Sequence, residues 1–151
     1  LIHCNESVPI LWIAPPSGTL SKARDRPVDA EWRSLGVPDA PKLRSKEWPA
    51  GLPGAYETPE GSRQLNAANV LVEFTFRNVS DCIQQGREWF VQNPVNSYLW
   101  DYPGWKDWQW NDTDIAQCEY GAGRPNPIRI RSSNKWLVGL SRTCSGTHTH
   151  V

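Results

Sequence analysis

The chain contains no methionine, no apolar run approaching the ~18 residues that span a bilayer, and no surplus of either charge. Each absence removes a class of function. Without a spanning run there is no transmembrane helix to insert. With sixteen basic residues against sixteen acidic ones, no global field draws the chain to nucleic acid or to an anionic membrane, so any such binding needs a local patch. The four cysteines show no C-x-x-C spacing, which removes the simplest zinc-finger and redox-pair arrangements. There is no heptad, internal repeat or low-complexity tract, and histidine occurs only at His3, His148 and His150. A length of 151 residues sits in the usual range of one domain, and a single domain over residues 1–151 is expected.

What the chain does hold points outward from the cell. Cys4, Cys82, Cys118 and Cys144 are even in number and spread along the sequence, a pattern that reads as two structural disulfides with three possible connectivities. Three N-x-S/T acceptors, at Asn5, Asn78 and Asn111, agree with that reading. Together with the absent initiator methionine they predict the mature form of a secreted, monomeric protein, extracellular or delivered into host cells. Nine tryptophans are the compositional oddity, because tryptophan makes up little more than about 1% of an ordinary soluble chain.

Along the chain, residues 8 to 14 (VPILWIA) read as an edge strand carrying Pro9. From Ala14 to Gly61 lie eight of the thirteen prolines, so a long irregular segment is expected, with one or two helical turns over Val28 to Leu35. Val70 to Phe76 (VLVEFTF) alternates apolar and polar residues and predicts the central strand. Arg87 to Gln92 predicts a second strand. Ile128 to Arg131 and Trp136 to Ser141 predict a hairpin turning at 132–135. The expected fold is an α+β domain on a twisted antiparallel sheet with little helix.

The densest chemical feature is Tyr98 to Trp110 (YLWDYPGWKDWQW), whose rings can stack on bases or sugars or fill a core. Over residues 96 to 144 the segments NSYLWDYPGW, GRPNPIRIR and NKWLVGLSRTC occur in order. In that order and spacing the chain resembles the C-terminal half of the secreted fungal guanyl ribonucleases and ribotoxins. The resemblance implies a disulfide between the termini, Cys4 with Cys144, leaving Cys82 with Cys118. It places Asp101 where the family has its general base and Arg129 where it has the arginine that holds the phosphate. Cyclising RNA cleavage also needs an acid. The family's histidine for that step is replaced here by the run Ser141, Arg142, Thr143, and an arginine keeps its proton at physiological pH. A shorter acid, Asp101, stands for glutamate. Asp101 and Arg129 are thus vestigial catalytic candidates.

The resemblance extends to a class of inactive ribonuclease-like effectors of plant-pathogenic fungi. The run Arg129-Ile130-Arg131 is similar to a motif of a second class, the Leptosphaeria avirulence-suppressing effectors. Both imply a virulence or avirulence protein that binds host protein or RNA and meets a plant immune receptor, without catalysis and without a cofactor. The expected binding surface is Trp100, Tyr102, Trp105, Trp108, Arg129, Arg131 and Arg142. Two other functions compete. One is an active ribonuclease using Asp101 with His148 or His150. The other is a carbohydrate-binding module using exposed tryptophans. His148 and His150 are read as part of a polar terminus, and no metal site is expected.

Overall fold

The computed structural model describes residues 10–150. His3, Cys4 and Asn5, and with them the expected Cys4–Cys144 closure, lie outside the described residues. The chain divides into two compact units. One comprises 10–15, 73–95 and 104–150, and the other 16–72 and 96–103.

The elements run β1 (Ile10–Ile13), α1 (Ala30–Ser34), α2 (Pro53–Tyr56), α3 (Pro59–Gln84), β2 (Glu88–Pro94), β3 (Asn111–Ile115) and β4 (Ile128–Ser132), with short 3-10 helices between them. The four strands form one sheet in the order β1-β2-β4-β3. β4 is antiparallel to β2 and to β3, whereas β1 runs parallel to β2. The fold is therefore α+β, on a mixed sheet in place of the expected antiparallel one. β1 is an edge strand as the sequence predicts, and the segment from 14 to 61 carries only α1, α2 and a short 3-10 helix before α3 begins.

Three expectations fail for identifiable reasons. The stretch Val70 to Phe76 is not the central strand but the middle of α3, a helix of 26 residues. Its alternation is local. Over a longer span the buried positions are Leu65, Val72, Thr75, Val79 and Cys82, at steps of three, four and seven, while Val70 is 63% exposed. "Little helix" falls with it. Trp136 to Ser141 forms no hairpin with β4, because Trp136–Leu140 is a 3-10 helix and β4 spends its hydrogen bonds on β2 and β3. β3 has no counterpart among the sequence expectations, since NDTDI is too polar to read as a strand.

The two disulfides are also not borne out. Among the described residues no disulfide is formed, and the Cys118 sulfur lies beside that of Cys144 and not with Cys82. No described helix is long and apolar enough to cross a membrane.

In the sheet-bearing unit, neighbouring residues of β2 serve opposite faces, as a pleated strand requires. Phe90 is buried with Ile130 and Leu137 on one side, and Trp89 is buried against Trp105 on the other. The second unit buries Leu20, Leu43, Leu65, Tyr98 and Leu99, together with one charged side chain, Arg44.

Candidate functional site

The aromatic stretch from Tyr98 to Trp110 is divided between the two units. Tyr98, Trp100 and Tyr102 belong to the unit of residues 16–72 and 96–103, while Trp105, Trp108 and Trp110 belong to the sheet-bearing unit. Trp100 is half-buried in the 3-10 helix Tyr98–Asp101. The Tyr102 hydroxyl accepts a hydrogen bond from Arg44 Nη1 at 2.8 Å and donates to Asn69 Oδ1 at 3.0 Å. Tyr98 is buried in the same 3-10 helix.

Trp105 is only 2% exposed and is core. Its ring meets Phe76 at 4.7 Å and Trp89 at 6.1 Å. Gly104 allows that approach, since a Cβ there would stand 2.9 Å from the Phe76 ring. Trp108 is half-buried and meets Phe76 at 5.6 Å and Trp89 at 6.5 Å. It borders two open grooves, of ≈ 510 Å³ and ≈ 460 Å³, which also share Gln109 and Ser133. Arg87, Glu88 and Asp107 line the first, and Trp110, Asn111 and Lys135 the second. Opposite charges balance there, beside an indole face and neutral hydrogen-bonding groups.

Arg129, expected to hold phosphate, and Arg131, expected in the binding surface, are engaged by the protein's own carboxylates. In the β3–β4 register, Asp112 stands opposite Arg131 and Asp114 opposite Arg129. Arg129 grips Asp114 through Nε and Nη2, each at 2.7 Å, and that pairing raises its pKa. Arg131 forks onto Asp112 at 2.7 and 2.8 Å. Its guanidinium also lies 4.8 Å from the Trp105 ring and 4.5 Å from the Trp110 ring, a desolvated cation between two aromatic faces. This arrangement locks the strand pair. β3 was invisible in the sequence because its aspartates look like loop residues until the arginines opposite them are known.

Asp101 is likewise paired, with Lys22 Nζ 3.0 Å away in the same unit. The same ammonium lies 4.9 Å from the Tyr98 ring, whose hydroxyl donates to Asp25. Burial, followed by the bond to Asp25, pushes the Tyr98 hydroxyl's pKa far up. Arg142 is exposed, joined through its backbone to Asp114 and Ala116, with its guanidinium 5.8 Å from the Tyr120 ring. Of the glycosylation candidates, Asn78 is half-buried and donates to the Phe74 carbonyl at 2.8 Å, and Asn111 is half-buried at the start of β3.

One constellation lies outside the sequence expectations. Cys118, Cys144, His148 and His150 present one ligand atom each, all within 4.8 Å of one another. The H-x-H pair and the last two cysteines are visible in the sequence, where the histidines resemble a polar terminus and the cysteines halves of separate disulfides.

No family model, no curated protein and no solved structure matches this chain.

Proposed function

We propose that the chain is a non-catalytic binding domain whose contact surface is the Trp108 groove. Its setting is that of a secreted effector holding a host protein. The observation that carries this reading is the pairing of the two vestigial catalytic groups, Asp101 by Lys22 and Arg129 by Asp114, each inside its own unit. A base held by an ammonium is poorly placed to take a 2′-hydroxyl proton, and an arginine forked by a carboxylate has little left for a phosphate. The groove offers an indole face with balanced charge, which suits a protein segment better than a polyanion.

The test compares the wild-type chain with Trp108→Ala in cross-linked capture from host extract, followed by mass-spectrometric identification. Loss of one aromatic anchor is expected to reduce capture of a defined protein by about tenfold. Equal capture by both overturns the groove assignment. RNA incubated with the pure protein is expected to stay intact, and 2′,3′-cyclic ends overturn the non-catalytic reading.

A carbohydrate-binding function is the second reading, favoured by Gln109, Asn111 and Ser133 around the Trp108 ring. Stacking on an indole with neutral hydrogen bonds at its rim suits a sugar face. Glycan-array binding lost in Trp108→Ala would select it, and silence on the array would remove it.

A further inference from the structure

We propose that Cys118, Cys144, His148 and His150 form a structural zinc site. The argument begins with donor chemistry. Two thiols and two imidazoles are the soft and borderline donors that zinc takes in closed tetrahedral sites, and four protein ligands leave no open position for catalysis. With metal–sulfur bonds of about 2.3 Å and metal–nitrogen bonds of about 2.0 Å, the edges of such a tetrahedron are roughly 3.3 to 3.8 Å. The three separations among Cys144, His148 and His150 bracket that range, and Cys118 Sγ completes a set whose atoms all lie within 4.8 Å of one another. Cys144 Sγ lies 3.4 Å from His150 Nε2 and 3.9 Å from His148 Nε2, and the two Nε2 atoms are 3.1 Å apart.

The backbone explains how ligands from two places converge. Cys118 sits in the 3-10 helix Gln117–Tyr120 that follows β3, and the helix ends at Gly121 in the left-handed region, φ 91°. The Gly121 amide donates to the Cys118 carbonyl at 3.2 Å, closing the turn behind the thiol. The other three ligands come from Cys144-Ser145-Gly146-Thr147-His148-Thr149-His150. Gly146 has φ 69°, a conformation that costs glycine little and folds His148 back over Cys144.

Surrounding contacts orient the ligands. Glu119 accepts from the Ser145 amide at 2.7 Å, and its carboxylate lies 3.9 Å from His148 Nδ1, the nitrogen that is not in the cluster. That is an ion-pair separation, longer than a hydrogen bond, and it favours the tautomer whose Nε2 is left to face the metal. A Cys118–Cys144 disulfide would account for the two sulfurs but for neither the paired Nε2 atoms nor the carboxylate behind His148.

The experiment uses the full chain purified under reducing conditions, with metal content measured by plasma mass spectrometry and Co²⁺ exchanged for Zn²⁺. About one zinc per chain is expected, and Co²⁺ is expected to give the intense visible bands of a tetrahedral thiolate site. His150→Ala and His148→Ala alter exposed residues and leave the apolar core intact. Each is expected to weaken Zn²⁺ binding by more than a hundredfold, beyond the ten- to hundredfold effect of a group behind a ligand. Glu119→Gln is expected to fall within that smaller range. Cys144→Ser should abolish the sulfur-to-cobalt charge-transfer band. Folded, reduced protein that fails to retain Zn²⁺, or that retains it equally in His150→Ala and Cys144→Ser, overturns the proposal. So does an octahedral Co²⁺ spectrum, or a Cys118–Cys144 disulfide that survives reductant.

Discussion

The two units bury a guanidinium in opposite ways. In the sheet-bearing unit Arg131 is 5% exposed and is matched by a carboxylate, Asp112, with Trp105 and Trp110 against its faces. In the other unit Arg44 is fully buried and its hydrogen-bond partners are neutral. Nε and Nη2 donate to Thr19 Oγ1 at 3.2 and 2.9 Å, and Nη1 reaches Asn69 Oδ1, the Tyr102 hydroxyl and the Pro49 carbonyl. Burial pulls the Arg44 pKa down, and the neighbouring tyrosine hydroxyls, Tyr102 first, oppose it. The contrast separates two jobs. A carboxylate fork fixes the register of two strands, whereas a set of neutral acceptors lets one side chain tie together segments that are remote in sequence.

The largest effect is therefore expected at Arg44. Arg44→Ala removes a donor from four acceptor groups at 19, 49, 69 and 102 and leaves several buried oxygens without partners, each such loss costing about 1 to 3 kcal/mol. These costs are not additive, and about 4 kcal/mol is expected in urea denaturation. Arg44→Lys sharpens the point, because it keeps the charge but cannot present the planar fork to Thr19 and Asn69 together. It should recover less than half of the loss. Full recovery by lysine would mean that charge, and not the fork, is what the site uses.

Asp112→Ala is expected to rank second. It leaves Arg131 without its matched carboxylate while the guanidinium stays between two indoles. A wholly buried partner would cost about 3 to 5 kcal/mol, and the 27% exposure of the Asp112 side chain lowers the expectation to about 2 to 3 kcal/mol. Replacing both residues, Asp112→Ala with Arg131→Met, should cost less than the sum of the single changes. Strict additivity would break the comparison, because the pair would then not be acting as a unit.

The same contrast marks how far the sequence could be read. β1, β2, β4 and the helical turn at α1 rest on patterns of four to eight residues and were legible. α3 is disguised because the seven residues of VLVEFTF fit a period of two, and only the spacing from Leu65 to Cys82 reveals the helix. β3 was hidden because its stabilising partners, Arg129 and Arg131, lie 15 and 19 residues away in the chain. Arg44 carried no signal at all, since nothing near position 44 announces acceptors at 19, 69 and 102. The cysteines misled for the same reason. Parity and N-glycosylation motifs suggest disulfides, whereas the neighbours of Cys118 are decided by the backbone bonds of Arg142 to Asp114 and Ala116, which bring Cys144 near, and by the turn at Gly146, which returns His148.

The smallest effect belongs to a third guanidinium, which sets the scale for the other two. Arg33 meets Asp39 at 3.1 Å with both side chains more than half exposed, and an exposed pair of this kind contributes little. The Asp39 carboxyl is nevertheless held below the ordinary aspartate range, first by the Val28 amide, which donates to Oδ1 at 2.7 Å, and then by Arg33. A carboxyl whose folded pKa is depressed contributes its stability above the unfolded value and loses it as pH falls through the folded one. The Val28 amide resonance, followed by NMR on acidification, should therefore titrate at a pH below that of an ordinary aspartate. In Arg33→Ala the midpoint should rise only slightly, because the amide is the main cause. A midpoint that returns to the ordinary aspartate value in Arg33→Ala would give the guanidinium the leading role and would place this exposed pair closer to Arg131 than its accessibility implies.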